Sequence, residues 1–171
     1  MERIHYLIGT LIFLVFVFAA SGTPKNPDRW RTSPHVAPLG DKVDVGHKFI
    51  ALTILAEARG EGKAGMYAVA CVIQQRAVNR KKPAFIICGE PDQFSCWNER
   101  PYGWKYQHDN LLWEKEAPYA LALAIDIENR KIKCEWLKNA DHYCHVNINN
   151  YWTRGRKPVA IIGRHKFYKL R

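Results

Sequence analysis

Three charged side chains crowd one short stretch, Glu57, Arg59 and Glu61 in "LTILAEARGEG" from Leu52 to Gly62, where an apolar run meets two glycines. Two readings fit this pattern. The charges can solvate a helix end as a salt-bridged turn, or one carboxyl can be held at a cleft as a general acid. Breaking an acetal bond needs an acid that keeps its proton near neutral pH, and burial beside apolar walls raises a carboxyl pKa toward ~6. Glu57 stands at the end of an apolar helix, flanked by Ile54 and Ala58 and close to the negative end of the helix dipole, which is a suitable place for such a group. That use requires Arg59 to point away from Glu57, toward Glu61. Glu61 itself, just ahead of a second apolar run, is accounted for by the attraction of an anion to a helix N-terminus.

A second cluster, "DQFSCWNERPYGWKYQH", sets Phe94, Trp97, Tyr102, Trp104 and Tyr106 among Gln93, Ser95, Asn98 and His108. Aromatic faces stack on sugar rings, and interleaved amides and hydroxyls bond to sugar hydroxyls and N-acetyl groups. The other reading is a satellite apolar cluster under a long loop. "HYCHVN" places His142 and His145 three apart in a strand, on opposite faces, which is a poor metal pair, and no H-E-x-x-H helix exists. His108 and His165 read as hydrogen-bonded structural histidines. No metal ligand set and no cofactor are expected.

The elements that must carry these residues follow from periodicity and punctuation. Asp44 can cap a helix running through "VGHKFIALTILAEAR", which Gly60 stops. "KAGMYAVACVIQQRAVNR" has helical spacing and ends before Pro83, and "WEKEAPYALALAIDIENRK" gives a third helix with Pro118 in its first turns. Between them, Pro83 to Trp113 reads as a long ordered loop, a kind of segment that is usually functional. The last third alternates aromatic and polar residues around turn signals at Asn149, Asn150 and Gly155, which predicts short strands. The fold class is therefore α+β, with a helix-rich N-terminal part and a small C-terminal sheet.

At 171 residues the chain suits one domain with its own core, and 47% hydrophobic with 25% charged residues is the composition of a folded protein. Residues 1–21 read as a signal peptide or membrane anchor. Arg3 precedes an apolar run from Tyr6 to Phe18, and the small residues Ala19, Ala20, Ser21 and Gly22 offer a cleavage site after Ser21. Residues 22–43 read as a Pro-rich linker, and 44–171 as the folded domain that holds the candidate acid. The formal charge of +10 survives removal of the leader, because Glu2 and Arg3 cancel. An exported basic protein points to an anionic wall polymer or an anionic membrane surface as partner, and no nucleic acid. Cys71, on an apolar helical face, reads as a buried thiol, which leaves Cys88 with Cys96 and Cys134 with Cys144 as the pairs to consider in an oxidising compartment.

"LAEARGEGKAGMYAVACVIQQRAVN", "ICGEPDQFSCWN", "ADHYCHVN", "YW" and "PVAIIGRHKFYK", in that order, resemble the SleB-type cell-wall hydrolase family, the spore cortex-lytic enzymes and their bacterial and phage relatives. The likeness runs from about Phe49 to Lys169. It implies a groove related to that of lysozyme-like lytic transglycosylases, peptidoglycan as substrate, and cleavage between N-acetylmuramic acid and N-acetylglucosamine. The first glutamate of "AEARGE", here Glu57, is then the catalytic acid. Gln93, Phe94, Ser95, Trp97, Tyr143 and His145 are the expected substrate-binding residues. The separate peptidoglycan-binding repeat domain of the spore enzymes is absent from this sequence, which favours a phage endolysin or a general bacterial wall hydrolase, secreted or tethered and acting as a monomer. A retaining or inverting hydrolase would need a second carboxylate, from Asp92, Asp141 or Glu61. A lytic transglycosylase needs none. The competing readings are a zinc N-acetylmuramoyl-L-alanine amidase using His108, His142, His145 or His165, and a non-catalytic peptidoglycan-binding module.

Overall fold

A computed structural model of the protein describes residues 43–98 and 109–171. The leader, the linker, and Tyr102, Trp104, Tyr106 and His108 lie outside the described residues. Helix α1, Val45–Ala58, begins at Asp44, whose carboxylate accepts the His47 N–H at 2.8 Å while the His47 ring accepts the Asp44 N–H at 3.3 Å. This reciprocal pair closes the first turn as a capping box. Every residue from Ile50 to Leu55 is buried, Thr53 included. A helix buried on all sides belongs inside a domain rather than on its surface. It is wrapped by α2 (Gly62–Arg80), α3 (Ala84–Gly89) and α4 (Ala117–Glu128), with Pro118 in the first turn of α4, where the missing N–H leaves no gap.

A single 3₁₀ turn, Arg59–Glu61, joins α1 to α2. Gly65 allows α2 to pack against it, because a Cβ at that position would lie 2.2 Å from the Cβ of Glu61. The stretch from Pro83 to Trp113 is more regular than a loop: α3 and the 3₁₀ turns Ser95–Trp97 and Asp109–Trp113 occupy its described parts. Its Gly and Pro content hides a buried apolar set, Ala84, Ile87, Cys88 and Phe94, whose packing on α1 and α2 stabilises helices too short to form alone.

The C-terminal part is a three-stranded antiparallel sheet in the order β1 (His142–His145), β3 (His165–Tyr168), β2 (Ala160–Ile162). Tyr143 stands opposite Phe167 and His145 opposite His165. Fully buried Phe167 joins the sheet to the helical core. The architecture is α+β, helix-rich with a small terminal sheet, as the sequence predicts.

All five cysteines are buried free thiols, and the two anticipated pairs do not form. Cys134 packs on α2, its Sγ 3.8 Å from the Cys71 carbonyl oxygen, while Cys144 in β1 turns to the Ile148 carbonyl at 3.5 Å. Burial pushes the Cys88 thiol up to about 12, so it stays protonated and behaves as a small apolar group.

Candidate active site

Glu57 is the second-last residue of α1, and three donors from distant parts of the chain converge on it. Its Oε1 accepts the backbone N–H of Cys96 at 2.9 Å and the Ser95 hydroxyl at 3.2 Å, and its Oε2 accepts the Tyr143 hydroxyl at 2.9 Å. The carboxyl opens on a cleft of about 540 Å³. Residues 92–95 with Asn98, and segment 142–145 with Ile148 and residues 150–152, supply most of the lining; Arg76, Arg80 and His165 complete it.

Arg76 holds these segments in place. Its buried guanidinium donates from Nε to the Asp141 carbonyl at 2.7 Å and from Nη1 to the Gln93 carbonyl at 2.6 Å, and it lies 4.9 Å over the Phe94 ring. One side chain of α2 thus binds both the turn that presents Ser95 and Cys96 and the start of the strand that presents Tyr143. Arg80 extends the bracket, pairing with Glu90 and donating to Gln93 Oε1 at 2.7 Å.

Desolvation, followed by the charge of Glu57, raises the Tyr143 phenol well above its ordinary range, so it keeps its proton and remains a donor. The Cys96 thiol is raised for the same two reasons in the same order. His165 packs edge-on to Tyr143 at 5.1 Å; burial lowers its pKa against the opposing pull of Glu61 and Glu57, which favours the neutral ring.

Of the expected site residues, Gln93, Phe94, Ser95, Tyr143 and His145 line the cleft with Glu57. Phe94 is 2% exposed beneath Arg76, so it forms floor rather than a stacking face. Trp97 is absent from the lining. Its indole N–H donates to Thr53 Oγ1 at 2.9 Å and its ring stacks on Phe49 at 4.5 Å, because the 3₁₀ turn that sends Ser95 toward Glu57 returns Trp97 to α1. His142 and His145, expected on opposite strand faces, both line the cleft, since β1 is a four-residue edge strand and the cleft follows that edge.

The other carboxylates separate clearly. Asp141 accepts the N–H groups of Leu170 at 2.8 Å and Arg171 at 3.0 Å and pairs with His142, which makes it a clamp on the chain end. Glu61 does more than complement a helix N-terminus: it accepts from the Arg164 backbone and guanidinium, both at 2.8 Å. Arg59 pairs with Glu114 at 3.1 Å rather than with Glu61, and so leaves Glu57 to the cleft. Asp92, at φ 59°, lines the cleft. Among the described residues no three His, Cys, Asp or Glu side chains gather in a way that could hold a metal ion.

The cleft also contains Arg76, Asn150, Tyr151 and Trp152, for which the sequence suggests no ligand role, and His142, which the sequence offers only as a poor metal ligand. The adjacent Tyr151 and Trp152, set between asparagines and a glycine turn, were the available signal.

The catalytic domain of the Bacillus cereus SleB protein, known from a crystal structure, is similar to this chain with a TM-score of 0.54 and 23% identity, over 81% of this chain and 99% of that one. No curated protein matches the chain. A family model described as Cell Wall Hydrolase matches residues 60–168, beginning just after Glu57 and taking in both the Ser95–Cys96 turn and the Tyr143 strand. With well over half of its length so matched, the chain belongs to the cell wall hydrolase family, a family of peptidoglycan-degrading enzymes.

Proposed function

We propose that the protein cleaves the bond between N-acetylmuramic acid and N-acetylglucosamine as a lytic transglycosylase, with Glu57 as both general acid and general base. The observation that carries this reading is the convergence of Ser95, Cys96 and Tyr143 on Glu57 at an open cleft. The Cys96 N–H can only donate, so Oε1 is the permanent acceptor and Oε2 is the oxygen that carries the proton. The Tyr143 hydroxyl can rotate to accept while Oε2 is protonated and to donate once it is not.

In the first half of the reaction the Oε2 proton passes to the glycosidic oxygen as the muramic C1–O bond breaks. The oxocarbenium-like C1 is then attacked by the same sugar's C6 hydroxyl, whose proton returns to Glu57. The product is a 1,6-anhydro sugar, with no water consumed. Support comes from the placement of the acids: Asp141 and Glu61 are committed to clamps away from the cleft, and among the described residues Asp92 is the other acid on its lining. An intramolecular nucleophile has a large effective concentration, so a second carboxylate is dispensable.

Gln93, Ser95, Tyr143 and His145 orient the sugar. Cell wall substrate places the work outside the cytoplasm, with residues 1–21 as signal or anchor, 22–43 as linker and 44–171 as the catalytic unit. Among the described residues no helix is long and apolar enough to cross a membrane. Mass spectrometry of muropeptides released from purified sacculi tests the reading. Anhydromuropeptides resistant to borohydride are expected. Reducible ends carrying solvent oxygen would instead make the enzyme a hydrolase and make Asp92 its second carboxylate.

A further inference from the structure

The strongest unexplained feature of the cleft is an aromatic ring that the fold leaves in water. Tyr151 is 81% exposed yet lines the same cleft as Glu57. Leaving a large ring unburied forgoes the hydrophobic stabilisation that burial would supply. Its backbone is nevertheless fixed. Tyr151 opens a 3₁₀ turn, Tyr151–Thr153, whose buried Thr153 donates its hydroxyl to the Asn150 carbonyl at 2.7 Å. The adjacent Trp152 is wedged between His142 and Tyr168, with ring centroids 5.4 Å from each. The result is an outward-facing ring on a rigid mount at the rim of the cleft, next to the Asn150 amide, which can both donate and accept.

We infer that Tyr151 is the stacking platform of a glycan subsite, taking the apolar face of an N-acetylated pyranose ring in the strand that runs through the cleft, with Asn150 on its acetamido group. A tyrosine suits this role because it offers a large, stiff, amphipathic surface with only two side-chain torsions to immobilise. The ligand is the sugar, not the stem peptide. The subsite rests on the glycosidase reading for its place in catalysis, but its affinity can be measured without cleavage.

The test is calorimetric binding of a peptide-free N-acetylglucosamine hexamer to the full chain carrying Glu57→Gln, alone and with Tyr151→Ala, Tyr151→Phe or Asn150→Ala. Loss of one aromatic stacking contact is expected to weaken hexamer binding ~10-fold in Tyr151→Ala, with most of the affinity recovered in Tyr151→Phe because the ring, not the hydroxyl, is the contact. Unchanged thermal unfolding serves as the control for the fold. Equal affinity in Tyr151→Ala, equal losses in the Ala and Phe variants, or no hexamer binding at all would overturn the subsite. If sacculi incubated with the wild-type protein release no cleaved glycan while hexamer binding still depends on the ring, the glycosidase reading falls and the subsite stands.

Discussion

At Glu57 the two carboxyl oxygens are not equivalent, and the difference makes the residue testable. Oε1 faces a fixed N–H donor from Cys96, and Oε2 faces the reorientable Tyr143 hydroxyl. Glu57→Gln keeps the shape and lets the amide oxygen face Cys96, so the variant should fold, while loss of proton transfer should cost ~10² to 10⁴ in rate. A folded variant that still solubilises sacculi at more than about a tenth of the wild-type rate, against that expected loss, would remove Glu57 from the chemistry. Tyr143→Phe deletes the hydrogen bond to Oε2, an effect of ~1.5 to 3 kcal/mol once that oxygen has given up its proton, so its rate should fall ~10- to 100-fold. A rate equal to wild type would show that Tyr143 only packs. The place of Glu57 at a helix end facing a cleft was legible in the sequence, because apolar run, Glu and Gly are neighbours in the chain. Its donors were legible only in part: Ser95 and Tyr143 were expected to face the sugar, and their bonds to Glu57 span 38 and 86 residues.

Among the elements, the β2–β3 hairpin is fastened to the α1–α2 turn by one carboxylate. Glu61 accepts from Arg164, and Gly163 is required beside it, since a Cβ there would sit 2.0 Å from Glu61 Oε2 and the residue has φ 54°. The hairpin carries His165, which packs on Tyr143, so the latch supports the cleft from behind. Burial opposes ionisation of Glu61, but the Arg164 N–H and guanidinium outweigh it and hold the carboxyl below its ordinary range. A group with a depressed folded pKa contributes stability above its unfolded pKa and loses it as pH falls through the folded value. Glu61→Gln should therefore lower the melting temperature at neutral pH, by an amount corresponding to ~1 to 3 kcal/mol, and the gap from wild type should close as pH falls below the ordinary glutamate range and through the depressed folded value. A gap that persists unchanged into acid would mean that Glu61 acts through shape and not charge. Gly163→Ala should destabilise at every pH. The helices α1, α2 and α4 were readable from caps, spacing and Pro118, and the strands from their turn signals. The latch was not, because nothing local to Glu61 signals a partner 103 residues away. Neither was α3, whose helicity comes from packing rather than from its own residues, nor the course of Trp97, which one 3₁₀ turn reverses.

For the molecule as a whole, the dominant quantity is charge. The formal net charge is +10, and Arg154, Arg156 and Lys157 crowd one exposed turn just after Tyr151 and Trp152. Sacculi bear stem-peptide carboxylates and, in many walls, anionic polymers, so long-range attraction should gather the enzyme on its substrate before any cleft contact forms. That attraction is screened over ~10 Å at 0.1 M salt and ~3 Å at 1 M, whereas the hydrogen bonds around Glu57 lie well inside either length. Raising salt from about 0.05 to 0.5 M should therefore reduce binding to sacculi and the rate of their solubilisation together. Binding of the neutral N-acetylglucosamine hexamer to the Glu57→Gln protein should stay nearly constant over the same range. Reversing two charges, with Arg154→Glu and Lys157→Glu, should weaken sacculus binding and flatten its salt dependence while leaving hexamer affinity in place. If sacculus binding proves insensitive to salt, the basic surface has no part in finding the wall, and the affinity must come from the cleft and its aromatic rim alone.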